Sequence, residues 1–141
     1  MKKYCFFIFF ITCSETESPE IIPTYLANKE KWENASILDY SFIFQVSCYC
    51  NEEYTLPKKV LVMGGEIVTV NNLAYSKETH WGVFSINDLF NEIEKASNQN
   101  LAVLETTYES YYGFPTSLYI DRDERIADEE IGYFVTNFKI L

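Results

Sequence analysis

Between Tyr40 and Cys50 the residues alternate without a break: Tyr40, Phe42, Phe44, Val46, Cys48 and Cys50 fall on one side, and Ser41, Ile43, Gln45, Ser47 and Tyr49 on the other. A period of two is the mark of a β-strand whose faces meet different surroundings. The first set is the more apolar and is expected to face a core, so the chain must supply a sheet with one covered face. Its composition permits this. With 48% hydrophobic and 17% aromatic residues, five glycines and four prolines in 141 residues, a collagen-like, linker-like or disordered polymer is excluded and one globular domain is expected.

The elements around that strand follow from local signals. Thr24 to Asn34, with Pro23 just before it, predicts a first helix in which Tyr25, Leu26 and Trp32 share a face. Asn51 to Pro57 is expected as loop. Lys58 to Met63 and Glu66 to Asn71 flank Gly64-Gly65, which predicts a tight hairpin because primed turns need a positive φ that glycine adopts freely. Residues 72 to 84 show no period. Ser85 and Asp88 have the spacing of a capping box, Phe84 can staple against Leu89, and Ile86, Leu89, Phe90, Ile93 and Ala96 form an apolar stripe, so a second helix is predicted. Three β-like runs follow, at Leu101 to Tyr108, Ser117 to Asp121 and Gly132 to Ile140. The expected fold is α+β: helix, three strands, helix, three strands, with both helices on one face of an antiparallel sheet. The halves share an element order but no residue-by-residue repeat, and most of the 24 aromatic residues are expected in the core.

The first 13 residues, MKKYCFFIFFITC, join two lysines to an apolar run and read as an export signal. At about 1.5 Å per residue, Tyr4 to Cys13 covers about half of a ~30 Å hydrocarbon core, too little for a lasting membrane span. The polar residues after Cys13 make the segment resemble a bacterial lipoprotein signal, in which the cysteine is lipidated and becomes the new N-terminus. Thr12 departs from the Gly, Ala or Ser usual before that cysteine, and an ordinary signal peptide is the alternative. The expected organisation is a signal over 1–13 ending at the lipidation candidate Cys13, a polar tether over 14–23 and a globular domain over 24–141. The partner it implies is a membrane, reached through a lipid anchor.

Charge narrows the other partners. Twenty-one acids stand against 11 Lys and Arg for a net −10, and removal of Lys2 and Lys3 with the signal leaves nine bases and a net −12. Nucleic acid is excluded as a partner, because binding phosphates by counterion release needs a basic surface.

Several landmarks recur together: Trp32, Asp39-Tyr40-Ser41-Phe42, Ser47-Cys48-Tyr49-Cys50, Pro57 before Gly64-Gly65, and Ser85-Ile86-Asn87-Asp88-Leu89-Phe90. They continue with Tyr108-Glu109, Tyr112-Gly113-Phe114-Pro115, Ile120-Asp121 and Ala127-Asp128-Glu129-Glu130. The set resembles the bacterial envelope domain DUF6174, a family of unknown function often found in lipoprotein-like chains, over about residues 28 to 141. Glu109 departs from the family's usual Asp but keeps a carboxylate. The resemblance implies an envelope location and a fold, and no catalytic residue.

Three constellations carry chemistry. With Cys5 in the signal and Cys13 lipidated, Cys48 and Cys50 remain as a candidate disulfide in an oxidising compartment. In a regular strand their Cα atoms would stand about 6.7 Å apart, so a bond requires a bend at the strand end. Buried inert thiols, a redox pair or a metal pair are the alternatives, with His80 the lone histidine available as a partner. The second is the acidic run with Asp121, Asp123 and Asp128. As an EF-hand it has Arg125 fifth, Ile126 sixth and Gly132 twelfth, which breaks the calcium pattern; a solvated loop, a weak cation site or an acid-base pair remain as readings. The third is Tyr111, Tyr112 and Phe114, a candidate binding surface if exposed and a rigid turn otherwise. No cofactor is implied and no unmistakable catalytic set is present. The expected function is an exported or lipid-anchored, non-enzymatic module that binds an envelope protein or ligand. The alternative is an envelope enzyme, either thiol-redox through Cys48 and Cys50 or a carboxylate-based hydrolase.

Overall fold

The computed structural model describes residues 21–141, so the predicted signal, Cys13 and the first part of the tether lie outside the described residues. The elements are α1 (Ile21–Ala35), β1 (Tyr40–Cys48), α2 (Glu52–Thr55), β2 (Lys58–Met63), β3 (Glu66–Val70), β4 (Leu73–Ala74), α3 (Ile86–Ser97), β5 (Val103–Tyr108), β6 (Pro115–Asp121) and β7 (Ile131–Ile140). Helix α1 starts three residues before the expected position, with Pro23 in its first turn, where a missing N–H costs nothing. Residues 21–23, read from sequence as tether, therefore belong to the helix.

All seven strands join one antiparallel sheet in the order β4-β3-β2-β1-β7-β6-β5. The α+β class and the antiparallel sheet are as expected; the short α2 and β4 add to the expected element order. Strand β1 lies at the centre, and β5, the first strand of the second half, lies at an edge. The two halves thus join through unlike strands, β1 and β7. The chain leaves β4 at one edge and reaches β5 at the other by way of α3.

Both longer helices pack on the face that carries Tyr40, Phe42, Phe44 and Val46. Tyr25 of α1 meets Phe90 edge-on at 6.0 Å, and the Trp32 indole donates to Asn87 Oδ1 at 2.8 Å, so α1 and α3 run antiparallel. Leu26 is a correction: it is 57% exposed and takes no part in the face that buries Tyr25 and Trp32. Helix α3 has the predicted capping box between Ser85 and Asp88 and buries the predicted stripe, Ile86, Leu89, Phe90, Ile93 and Ala96. Phe84 packs on Phe44 and Tyr133, with ring centroids 6.0 and 5.3 Å away.

Glycine and asparagine place the turns. Gly64 and Gly65, with φ of 60° and 81°, form the predicted hairpin between β2 and β3. Asn71 and Asn72, with φ of 52° and 64°, make the same kind of turn into β4. Gly113, at φ 78°, brings the β5–β6 loop against α1: an added Cβ would lie 2.5 Å from the Asn28 carbonyl oxygen and 2.9 Å from Lys31 Cβ. Asn137 has φ of 52° where the β1–β7 register shifts, so the bulge reverses the alternation of β7. Tyr133 and Val135 face the core before it and Phe138 packs on the core after it, stacked on Phe114 at 4.3 Å.

Two outcomes follow in denaturant unfolding. Gly64→Ala should cost about 1 kcal/mol, the price of a left-handed residue with free space around it, whereas Gly113→Ala, which adds a backbone collision, should cost about 3 kcal/mol. Equal losses would overturn the close contact with α1. The second concerns pH. Burial pushes the Tyr40 hydroxyl up to about 12, although the bond it accepts from Ile86 N–H pulls the other way. A pKa raised in the folded state gives stability that is complete below the unfolded value near 10 and is lost as pH rises toward 12. Tyr40→Phe should lower stability at neutral pH by about 1 kcal/mol and flatten that alkaline slope.

Candidate functional site

A depression of about 700 Å³ lies beside the β4 edge, between the 51–58 segment, the β3–β4 turn and residues 79–83. It is built from the chain upward. The Asn51 side chain caps α2 by accepting from Tyr54 N–H at 2.9 Å. Gln45 of β1 donates to the Thr55 carbonyl at 3.2 Å, and Lys58 Nζ donates to the carbonyls of Tyr54 and Leu56 at 2.7 and 3.0 Å, closing the turn from below. Burial lowers the pKa of Lys58 and raises that of Tyr54.

On this support the Tyr54 ring stacks on Trp81, with centroids 4.5 Å apart and planes 11° from parallel. Trp81 is 63% exposed, so its indole covers Tyr54 and still offers surface to solvent. Leu56 and Leu73, also exposed, line the same depression, with Asn51, Asn71, Thr79 and His80 as neutral polar members and Glu53 and Lys58 as charged ones. An aromatic platform among aliphatic, amide and charged groups is suited to holding a ligand that presents both apolar and hydrogen-bonding surface. His80 serves its own loop: Nδ1 lies 2.9 Å from the Thr79 hydroxyl and its backbone N–H donates to the Ser76 carbonyl.

The residues singled out from sequence go to separate places. Cys48 and Cys50 bring their sulfur atoms to bonding distance, and their Cα atoms are 5.3 Å apart, closer than a regular strand allows, because β1 ends at Cys48 and the chain bends through Tyr49. The pair stands immediately before Asn51, at the start of the segment that forms the groove, but neither cysteine lines the groove with His80.

Phe114 corrects the idea of a three-ring surface. It is 4% exposed and sits in the core with Trp32 and Phe138, whereas Tyr112 is half-buried and Tyr111 is 78% exposed. Glu109 organises that turn, accepting from Tyr111 N–H at 3.0 Å and Tyr112 N–H at 2.6 Å. Burial pushes its carboxyl up, and these N–H groups outweigh that and hold it below the usual range.

The acidic run satisfies itself. Asp123 N–H donates to Asp121 and Glu129, and Arg125 forks onto both Asp123 oxygens at 2.8 and 2.7 Å. Asp128 is exposed at φ 69°. Among the described residues no group of three or more His, Cys, Asp or Glu is placed to hold a metal ion.

The groove itself was missed from sequence. A signal for it was present: Trp81 stands in an aperiodic segment next to Gly82, where a loop aromatic has no helix or strand to bury it.

The model of DUF6174, a family of unknown function, matches residues 24–140. The chain belongs to this family. No curated protein and no solved structure matches significantly.

Gly82 tests the platform. It has φ of 74°, and an added Cβ would lie 2.9 Å from Tyr54 Cε2. Gly82→Ala should cost about 2 kcal/mol and separate the stacked rings. Acrylamide should then quench Trp81 emission more strongly while Trp32, 4% exposed, stays shielded. Unchanged quenching would overturn the dependence of the stack on Gly82.

Proposed function

We propose that the chain is an exported, non-enzymatic binding domain, tethered to a membrane through lipid on Cys13, and that it engages another component of the cell envelope through the groove beneath Trp81. The observation that carries this reading is the exposed indole stacked on Tyr54 at the rim of a depression of about 700 Å³. Large apolar groups left in water beside a concavity mark binding surfaces.

The sequence supports the tether. Seven residues separate Cys13 from the start of α1, and an extended segment of that length reaches about 24 Å at most, so the domain works close to the surface that holds it. A single acyl chain holds weakly, so firm attachment requires more than one. In this setting Cys48 and Cys50 form a structural bond that pins the entry to the groove-forming segment.

Two measurements test the proposal. Metabolic labelling with a fatty-acid probe should mark the wild type and fail in Cys13→Ala; an unlabelled wild type, intact and soluble in the cytosol, would remove the tethered reading. A photo-crosslinking residue at Leu73 should give a discrete adduct in intact cells that Trp81→Ala weakens by about tenfold, a loss of about 1.4 kcal/mol. The same residue at exposed Ile126 should give none. Identical adducts at both positions would overturn the groove as the binding site.

A further inference from the structure

The face of the sheet turned away from α1 and α3 holds a second depression, about 420 Å³, lined by Ser41, Phe42, Ile43, Lys59, Asn137 and Lys139. Strand register explains how these residues meet. Ser41 of β1 pairs with Lys139 of β7, and Ile43 of β1 pairs with Lys59 of β2. Directly paired residues share a face, and residues two apart along β1 share a face, so both lysines and Ser41 point away from the helices. The lysines stand on opposite sides of β1, with two strand spacings, about 10 Å, between their strands. Their flexible four-carbon stems give both ammonium groups reach across the depression that Ser41 also lines.

The β7 bulge shapes this place. By absorbing one residue at Asn137, it sends Phe138 to the core and returns Lys139 to the open face opposite Ser41. Without the shift, Lys139 would carry the parity of the core-facing residues Tyr133 and Val135.

Charge then selects the ligand. The chain carries a net −10, yet no carboxylate lines this depression. The ion pairs found among the described residues use Lys29, Lys95 and Arg125, and Lys58 is spent on backbone carbonyls. Neither Lys59 nor Lys139 has an ion-pair partner among the described residues. Two unpaired ammonium groups beside a hydroxyl match a compact dianion, whereas the acidic surroundings repel an extended polyanion.

We propose that Lys59, Lys139 and Ser41 form a binding site for a compact phosphate dianion, of the class that a phosphomonoester presents. The site is separate from the groove beneath Trp81 and does not depend on it.

Amide shifts of the folded domain, titrated with inorganic phosphate at constant ionic strength, read the site directly. The amides of Ser41, Lys59 and Lys139 should shift saturably, with tighter binding as pH rises from about 6 to about 7.5 and phosphate gains its second charge. Lys59→Gln with Lys139→Gln should weaken binding by about tenfold or more without moving the unfolding midpoint, and Lys77→Gln should leave it unchanged. Shifts that stay linear with concentration, or that appear equally at Lys77 and Arg122, would mean general screening and overturn the site. Phosphatidylglycerol vesicles, whose headgroups are singly charged diesters, form the second arm. Sedimentation with these vesicles in the absence of saturable phosphate binding would also overturn it, in favour of attraction to an anionic surface.

Discussion

Two ring tips that cannot be left dry hold the helices to the sheet. Tyr40 is 1% exposed and its hydroxyl accepts the Ile86 N–H at 3.2 Å; Trp32 is 4% exposed and its indole N–H donates to Asn87 at 2.8 Å. A buried polar atom without a partner costs about 1 to 3 kcal/mol, so each ring can be buried only where its partner stands. Both partners belong to the first turn of α3, whose N–H groups have no acceptor within the helix. Strand β1 and helix α1 are therefore fixed to the same turn, and Trp32 against Tyr40, 5.4 Å apart and nearly perpendicular, closes the triangle. The order of the other rings follows from it, because Phe114 and Phe138 pack on Trp32 from the second half of the chain.

That packing requires local breaks in regular structure. Strand β7 must supply Tyr133 and Val135 to one part of the core and Phe138 to another, and strict alternation cannot do all three. The Asn137 bulge supplies the missing parity, and Gly113 lets the loop carrying Phe114 press against α1 where any side chain would collide. On the other face, Gly132 leaves room for Phe134, whose ring would be 3.3 Å from an added Cβ. The ring shields a glycine backbone that would otherwise face water.

What could be read from the sequence was set by how far each signal is local. The alternation of Tyr40 to Cys48, the Gly64-Gly65 turn and the capped stripe of α3 need neighbours within a few residues, and each appears in the structure. Phe114 and Leu26 needed knowledge of distant partners: one ring is buried by Trp32 and Phe138, and the other residue lies on an exposed helix face. The Asn71-Asn72 turn was legible in principle, since asparagine tolerates positive φ better than most residues, but the strand after it is two residues long and shows no period. The groove was the least legible part. It assembles from three separate segments, and its central contact, Tyr54 on Trp81, joins residues in an expected loop and an aperiodic stretch.

The placement of the two ends gives the proposed tether a geometric consequence. The first half of α1 lies over the β5 side of the sheet, where Tyr25 meets Phe90 and Phe90 stacks on Tyr108. The groove lies against β4, at the other edge of the same sheet. With five strands between those edges, a chain held through the residues before Ile21 is held on the side away from Trp81. Anchoring and binding then do not compete for one surface, and the short tether limits how far the groove can reach without covering it.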